Sequence, residues 1–322
     1  MRTIRTVIAA VLALSAVLPA AAQGYPNKPV KIVVAFPPGT STDILARLVA
    51  DNLSKSLGQP FVIDNKPGAG GSIGTEFAAK AVPDGYTLTM VPSGPFGSNP
   101  AIYEKLPYDP IKDFEPITNI GFTPQILVTG PGAKFTSVKE LVTAAKADPG
   151  GIAFGSLGKG TTSHLGMELF QARAGVKLNH IPFKGAAEAH TQTMGGNIPM
   201  MSDAVPGVLP HIRSGKLKPL GIAASQRSPF APDIPTLAEL GITGVEAVGW
   251  IGIGAPAKTP AAILDLLNAE INKMMSRPEV KERFAQLYFV PAVGTRAEFA
   301  AFIKDEISKW TRVAKDAGVK AD

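Results

Sequence analysis

From residue 30 onward the chain repeats one unit. A short apolar run gives way to a turn of glycines, prolines and hydroxyls, and then to a longer stretch of helical spacing. VKIVVAF (30–36) leads into DILARLVADNLSKSLG (43–58), where Ile44, Leu45, Leu48, Val49, Leu53 and Leu57 recur at helical intervals until Gly58 ends the pattern. FVIDN (61–65) passes through PGAGGSIG into a helical TEFAAKAV, and YTLTMV (86–91) follows a Pro-Asp-Gly turn. A second series starts near ITNIGFTPQILVTG (117–130) and runs through VKELVTAAKADPG, IAFGSLGKGTTSH, LGMELFQARAG, LNHIPFKG, IPMMSDA and KLKPLGIAAS. VEAVGWIGIGAPA (245–257) and a helical tail close the chain, with Phe299, Ile303, Ile307, Trp310 and Ala314 on one face. Such alternation dictates an α/β fold, a mostly parallel sheet covered on both faces by helices. The segment 94–114, rich in Pro, Gly and Tyr, breaks the rhythm and reads as a long surface connection. Two architectures stay open: tandem domains, or a chain that crosses to a second domain near residue 120 and returns near 250.

The first residues bear on compartment. Arg2 and Arg5 precede an apolar run from Val7 to Leu18 and then Ala20-Ala21-Ala22, the order of a secretory signal peptide cleaved near Ala22. The apolar run is shorter than the roughly 20 residues a spanning helix needs. There is no Cys, so a lipid anchor on cysteine, thiol catalysis and cysteine metal sites are excluded. The formal charge of +6 falls to about +4 without the leader. Its Lys and Arg are scattered rather than clustered, which argues against nucleic acid and suits attraction of small anions.

Two turns carry candidate chemistry. AFPPGTSTD (35–43) joins a strand to a helix start, where unsatisfied N–H groups and the helix dipole collect anions. Gly39 allows close approach to the backbone, Thr40, Ser41 and Thr42 add hydroxyls, and Asp43 would cap the helix or complement its dipole. FGSLGKGTTSHLG (154–166) repeats the arrangement with Ser156, Gly158, Lys159, Thr161, Thr162, Ser163 and His164. It lacks the Gly-Lys-Ser/Thr ending of a phosphate-binding loop, and PGAGGSIG is one residue too long for a dinucleotide fingerprint. PSGPFGSN (92–99) offers Ser93, Gly94 and Phe96 as a pocket wall. PFKGAAEAH (182–190) and MMSDA (200–204) are strand-end features whose Lys184 and Asp203 could be capping residues or ligand contacts. Two hydroxyl-rich loops, each after a strand, suit a ligand held where α/β domains face one another.

The four His residues (164, 180, 190 and 211) have no metal-ligand spacing with one another or with carboxylates, so no metal is expected. No G-x-S-x-G elbow occurs, and His164 is the best general base for a rival reading, a secreted serine hydrolase using Ser156 or Ser93. Hydroxyls and glycines without a matched acid–base pair point to binding rather than turnover.

Over nearly all of the mature chain the sequence resembles the exported solute-binding receptors of tripartite tricarboxylate transporters, also called Bug receptors. The stretches that carry this are YPNKPVKIVVAFPPGTSTDILAR, NKPGAGGSIGTEFAAKAVPDGYTL, YEKLPYDPIKDFEPIT, GKGTTSHLGMELF, PFKGAAEAH, SGKLKPLGIA and EISKW. The resemblance implies a two-lobed periplasmic-binding-protein ("Venus flytrap") α/β fold with two crossover strands. The implied division is a signal peptide over 1–22, a first lobe of 23–122 plus 250–322, and a second lobe of 123–249. It also implies a non-enzymatic, periplasmic, monomeric receptor without cofactor, which hands a small carboxylate to integral-membrane transporter subunits or presents it to a membrane sensor. The ligand would be a di- or tricarboxylate, an acidic amino acid or an aromatic acid. It would sit at Phe36, Pro38, Gly39, Thr40, Ser41, Thr42 and Asp43, with Ser156–His164, Gly185 and Ala186 closing over it. The chain departs from the family pattern at Thr40, where glycine is usual, at Lys159, where asparagine is usual, and at His190, Thr193 and Ser202-Asp203-Ala204.

Overall fold

Four of the five residues of VKIVV are buried in strand β1 (Val30–Val34), as a strand covered on both faces requires. The structure, a computed structural model, describes residues 24–321, and the leader expected over 1–22 lies outside them. Helix α1 (Ser41–Leu57) turns Leu45, Ala46, Val49, Ala50 and Leu53 inward and stops at Gly58, whose left-handed φ of 70° closes its last turn. Each such Leu or Val contributes about 1.5–3 kcal/mol by leaving water, so Leu53→Ala would cost about 2–5 kcal/mol. β2 (Phe61–Asn65), α2 (Ser72–Ala79) and β3 (Thr87–Pro92) complete the first series, with β2 and β3 both parallel to β1. α2 starts three residues earlier than TEFAAKAV suggested. Gly71 takes φ 92° and lies against Pro95, Phe36 and Ala35, where any side chain would collide.

The segment 94–114 is not a surface connection. It contains a wide π-helical turn at Gly94–Ser98 and a short helix α3 (Asn99–Ile102), and it buries Phe96, Tyr108 and Phe114. The Phe96 and Phe114 rings meet edge to face at 4.8 Å, in one cluster with Trp250, Phe299 and Ile303. Apolar area outweighs the turn-forming composition here.

β4 (Phe114–Thr129) is the long central strand. After it come α4 (Val138–Ala147), β5 (Ala153–Ser156), α5 (Thr162–Ala174), β6 (Asn179–Pro182), α6 (Ala186–Met194), β7 (Met200–Ala204), α7 (Val205–Arg213), β8 (Lys218–Ala223) and β9 (Val248–Pro256). The tail is α8 (Ala261–Met275), α9 (Pro278–Gln286), β10 (Val290–Pro291) and α10 (Arg296–Ala317). The strand order is β2-β1-β3-β9-β4-β7-β5-β6, with β8 and β10 also on β4.

The register of β4 organises the molecule. Residues 114–124 pair with β9, and residues 125–129 pair with β7 and β8. β3 lies antiparallel to β9, and its carboxyl end, Pro92, sits opposite Ile251, which itself faces Gly121 of β4. β7 is parallel to β5, and its carboxyl end, Ala204, sits opposite Gln125. The carboxyl ends of both parallel strand groups therefore converge, from opposite sides, on Gly121–Gln125.

α10 opens with a capping box between Thr295 and Glu298 and serves both sides of this crossing. Phe299 and Ile303 join the cluster around Trp250, whereas Trp310 and Ala314 join the cluster built on α4, β5 and α5. Between them the buried Glu306 carboxylate accepts indole N–H bonds from Trp250 at 3.2 Å and Trp310 at 3.0 Å and pairs with Lys309.

Candidate functional site

β1 runs parallel to β3 toward the convergence point, and α1 begins seven residues after Val34, so AFPPGTSTD must turn sharply. Gly39 does so at φ 85°, in the left-handed region that side chains disfavour. Thr40 takes extended φ/ψ and caps α1. Its Oγ1 accepts the Asp43 N–H at 3.4 Å and donates to the Pro37 carbonyl at 2.9 Å. Asp43 is 2% exposed, and its carboxylate accepts the Gly39 N–H at 2.9 Å, Arg47 at 2.9 and 3.0 Å, and Asn65 Nδ2 at 2.9 Å. Burial alone would raise this carboxyl's pKa, but the Arg47 bond, the Gly39 N–H, the Asn65 amide and the Arg47 charge together hold it below its usual range. Asp43 therefore spends its lone pairs holding the loop closed on itself. Asn65 also donates to the Phe36 carbonyl at 3.0 Å, tying β2 to the same turn. The Ser41 and Thr42 N–H groups, at the first two helical positions, have no acceptor among the described residues and are the donors an anion would meet. Phe36 is half-buried, Pro38 and Ser41 are exposed, and Thr42 is buried.

The second loop follows the same plan at β5–α5. Thr161 caps α5, accepting the His164 N–H at 3.4 Å and donating to the Gly158 carbonyl at 2.7 Å. The Thr162 and Ser163 N–H groups again have no acceptor among the described residues. Gly160 takes φ 77°, and a Cβ there would run into Ile102 of α3, so this loop leans on the other strand group. Ser156 is fully buried, and its Oγ meets His180 Nε2 at 2.7 Å and accepts the Gly158 N–H at 3.2 Å. His164 Nδ1 accepts the Gly160 N–H at 2.9 Å, which leaves the proton of its neutral form on Nε2, 3.4 Å from Glu168. The His164 and His180 rings stack at 3.6 Å. Burial, then His164 and Lys159, push the His180 pKa down to about 3, so the ring is neutral. Lys159 is exposed and forms no ion pair among the described residues. Ser156 thus pairs with His180, not with His164 as the hydrolase reading required.

Other expected residues fare differently. Phe96 is 1% exposed and belongs to the aromatic core, so it is not a pocket wall. Ser93 and Gly94 are half-buried at the carboxyl end of β3. Gly185 and Ala186 stand half-buried where β6 passes into α6. The Asp203 carboxylate bonds His190 Nε2 at 2.8 Å and the Ala204 N–H at 2.6 Å and presses on Gly207, so it is boxed in rather than offered to a ligand. A groove of about 880 Å³ between α5 and α10 is lined by none of these residues. Among the described residues no cluster of His, Asp and Glu could hold a metal, and no helix is long and apolar enough to cross a membrane.

Sequence reasoning missed Arg47 and Asn65, which anchor the first loop, and His180, which anchors the second. It also missed Thr123 and Gln125, whose Oγ1 and Oε1, like the Oγ of Ser202, are buried near the convergence point without a hydrogen-bond partner among the described residues. A period-two reading could have flagged Thr123 and Gln125 as polar positions two apart in an apolar strand.

Residues 45–319 match the family described as "Tripartite tricarboxylate transporter family receptor". The chain is 41% identical over 303 residues to Protein BugT of Bordetella pertussis, covering 94% of this chain and 93% of that protein. The structure of R. palustris Rpa4515 with adipate superposes with a TM-score of 0.82 at 33% identity, over 92% of this chain and 99% of that one. MatC from Rhodopseudomonas palustris with bound malate gives 0.77 at 32% identity, over 90% and 99%. The fold is thus the two-lobed α/β fold of periplasmic solute-binding proteins, and the relatives are binding proteins rather than enzymes. The chain belongs to the tripartite tricarboxylate transporter receptor family and is a solute-binding receptor.

Proposed function

We propose that this receptor captures a small organic carboxylate, a di- or tricarboxylate or an aromatic acid, in the periplasm and hands it to the membrane subunits of a tripartite tricarboxylate-type transporter. The lobes are residues 23–122 with 250–322, and 123–249, joined at the β4 and β9 crossings and bridged by α10. The observation that carries the reading is the pairing of two helix N-termini, α1 and α5. Each is capped by a threonine, each keeps two open backbone N–H groups, and each follows a strand parallel to one, β3 or β7, that ends at the same stretch of β4. Ligand held at one N-terminus favours closure because only the closed form adds the donors of the other. The adipate and malate bound by structural neighbours agree with a carboxylate ligand.

Calorimetric titration with dicarboxylates, tricarboxylates and aromatic acids tests this. At least one should bind, and binding should weaken when Thr162 is replaced by proline, which removes an open N–H at a position that tolerates proline. No binding across the panel would overturn the reading.

A further inference from the structure

Thr123 and Gln125 stand two apart on β4 and so share a face, and the β4–β7 register sets Ser202 across from Leu127 on that face. Thr123 is 6% exposed, Gln125 5% and Ser202 1%, and none of these side chains makes a hydrogen bond among the described residues. Buried polar atoms are nearly always partnered, so three unpartnered oxygens at one point of one sheet are a specific signal. On the neighbouring strand, Thr123 is opposite Gly249, which contributes no side chain. A methyl group built there would touch Thr123 at 3.4 Å and come within 3.9 Å of Ser93 Oγ. The polar shelf thus continues to the carboxyl end of β3, beside the loops that end at α1 and α5.

We propose that Thr123, Gln125 and Ser202 form a ligand-reading shelf at the crossing, and that it selects carboxylates carrying a hydroxyl group over unsubstituted ones. The inference rests on the carboxylate-receptor reading. Gln125 Oε1 can only accept, so its partner must bring a donor, which a carboxylate lacks at neutral pH. A primary amide presents an acceptor beside a donor, and a 2-hydroxycarboxylate presents the complementary pair, a hydroxyl beside a carboxylate oxygen. The hydroxyls of Thr123 and Ser202 donate or accept as the ligand demands.

Malate and succinate are the probes, since they differ by one hydroxyl at equal length and charge. Calorimetry on the wild-type chain should find malate about tenfold or more tighter than succinate, the effect of leaving a buried polar group unpaired. Gln125→Met should bring that ratio to near one. Thr123→Val, which keeps side-chain shape, should lower the ratio at least about threefold, and this reading stands whatever Gln125→Met does to folding. Equal binding of the two acids by the wild type, or a preference that survives both variants, would overturn the inference. If other carboxylates bind but neither probe does, the shelf is again wrong and the receptor reading stands. If no carboxylate binds, the receptor reading itself fails.

Discussion

Loop 36–43 is held by a carboxylate, whereas loop 156–164 is held by hydroxyls and imidazoles. In the first, one buried carboxylate gathers the Gly39 N–H, Arg47 and Asn65. In the second, Ser156, Thr161, Ser163 and two stacked imidazoles share the work, and no buried carboxylate takes part. Both loops nevertheless end alike, with a threonine cap and two open N–H groups. The anion-collecting feature is thus independent of how each loop is braced. The difference lies in what each brace can withstand. A charged brace fails if its carboxylate is removed or protonated, while a hydroxyl–imidazole brace is spread over several weaker bonds.

Asp43→Ala should therefore have the largest effect of any single change at the site. It leaves the Gly39 N–H and the Asn65 amide without their acceptor, at a cost of about 2–3 kcal/mol in urea unfolding and roughly a 100-fold loss of carboxylate affinity. Arg47→Ala should do much less, because the Arg47 side chain is 54% exposed and water screens its pairing. Ser156→Ala, the matching change in the second loop, should cost less than Asp43→Ala, since Thr161 and Ser163 still brace that loop. If the two losses are equal, the contrast between the loops is false.

Acid should separate the braces next. The folded pKa of Asp43 lies below its unfolded value of about 3.9, so the stability it contributes is complete above that value and is lost only as pH falls below about 4. His180 is depressed from 6.5 to about 3, so the unfolded chain takes up a proton that the folded chain refuses. Its contribution is complete above pH 6.5 and declines steadily from there toward pH 3. Unfolding free energy measured between pH 6.5 and 4.5 should fall with acid in the wild type and fall less steeply in His180→Gln. An unchanged slope would show that the imidazole stack is not what resists protonation.

The strand–helix alternation and the two hydroxyl loops were legible because each is local, whereas the cap expected at Asp43 is made by Thr40. A run, a turn and a periodic helix occupy consecutive residues, and Thr40 and Thr161 sit at fixed offsets from the helices they cap. What was not legible depends on register. His180 is an unremarkable residue of LNHIPF until parallel pairing of β5 with β6 brings it beside the end of β5. Phe96 looked like a pocket wall because its neighbours are turn formers, and only Tyr108 and Phe114, brought back from later in the chain, make it core. Asp43 was legible as a helix-start residue, but not as the centre of a four-donor network, since Asn65 comes from another strand. Cap removal tests what the loop hydroxyls do: Thr40→Ala and Thr161→Ala should each cost about 1 kcal/mol. Thr161→Ala should cost the more, because Thr161 also ties Ser163 at 2.9 Å.

Lys159 should give the smallest effect, and it bears most directly on which loop reads ligand charge. Its side chain is exposed and lies in the loop that has no buried carboxylate, so any attraction to ligand acts through water and salt. If it meets the second carboxylate of a dianion held at the first loop, Lys159→Asn should weaken a dicarboxylate by about threefold at low salt and leave a monocarboxylate unchanged. The difference should vanish at about 0.5 M salt, where the Debye length is shorter than the reach of the side chain. Equal effects on both acids would mean that Lys159 faces solvent. Charge recognition would then rest on the helix N-termini alone, which the two loops share despite their different braces.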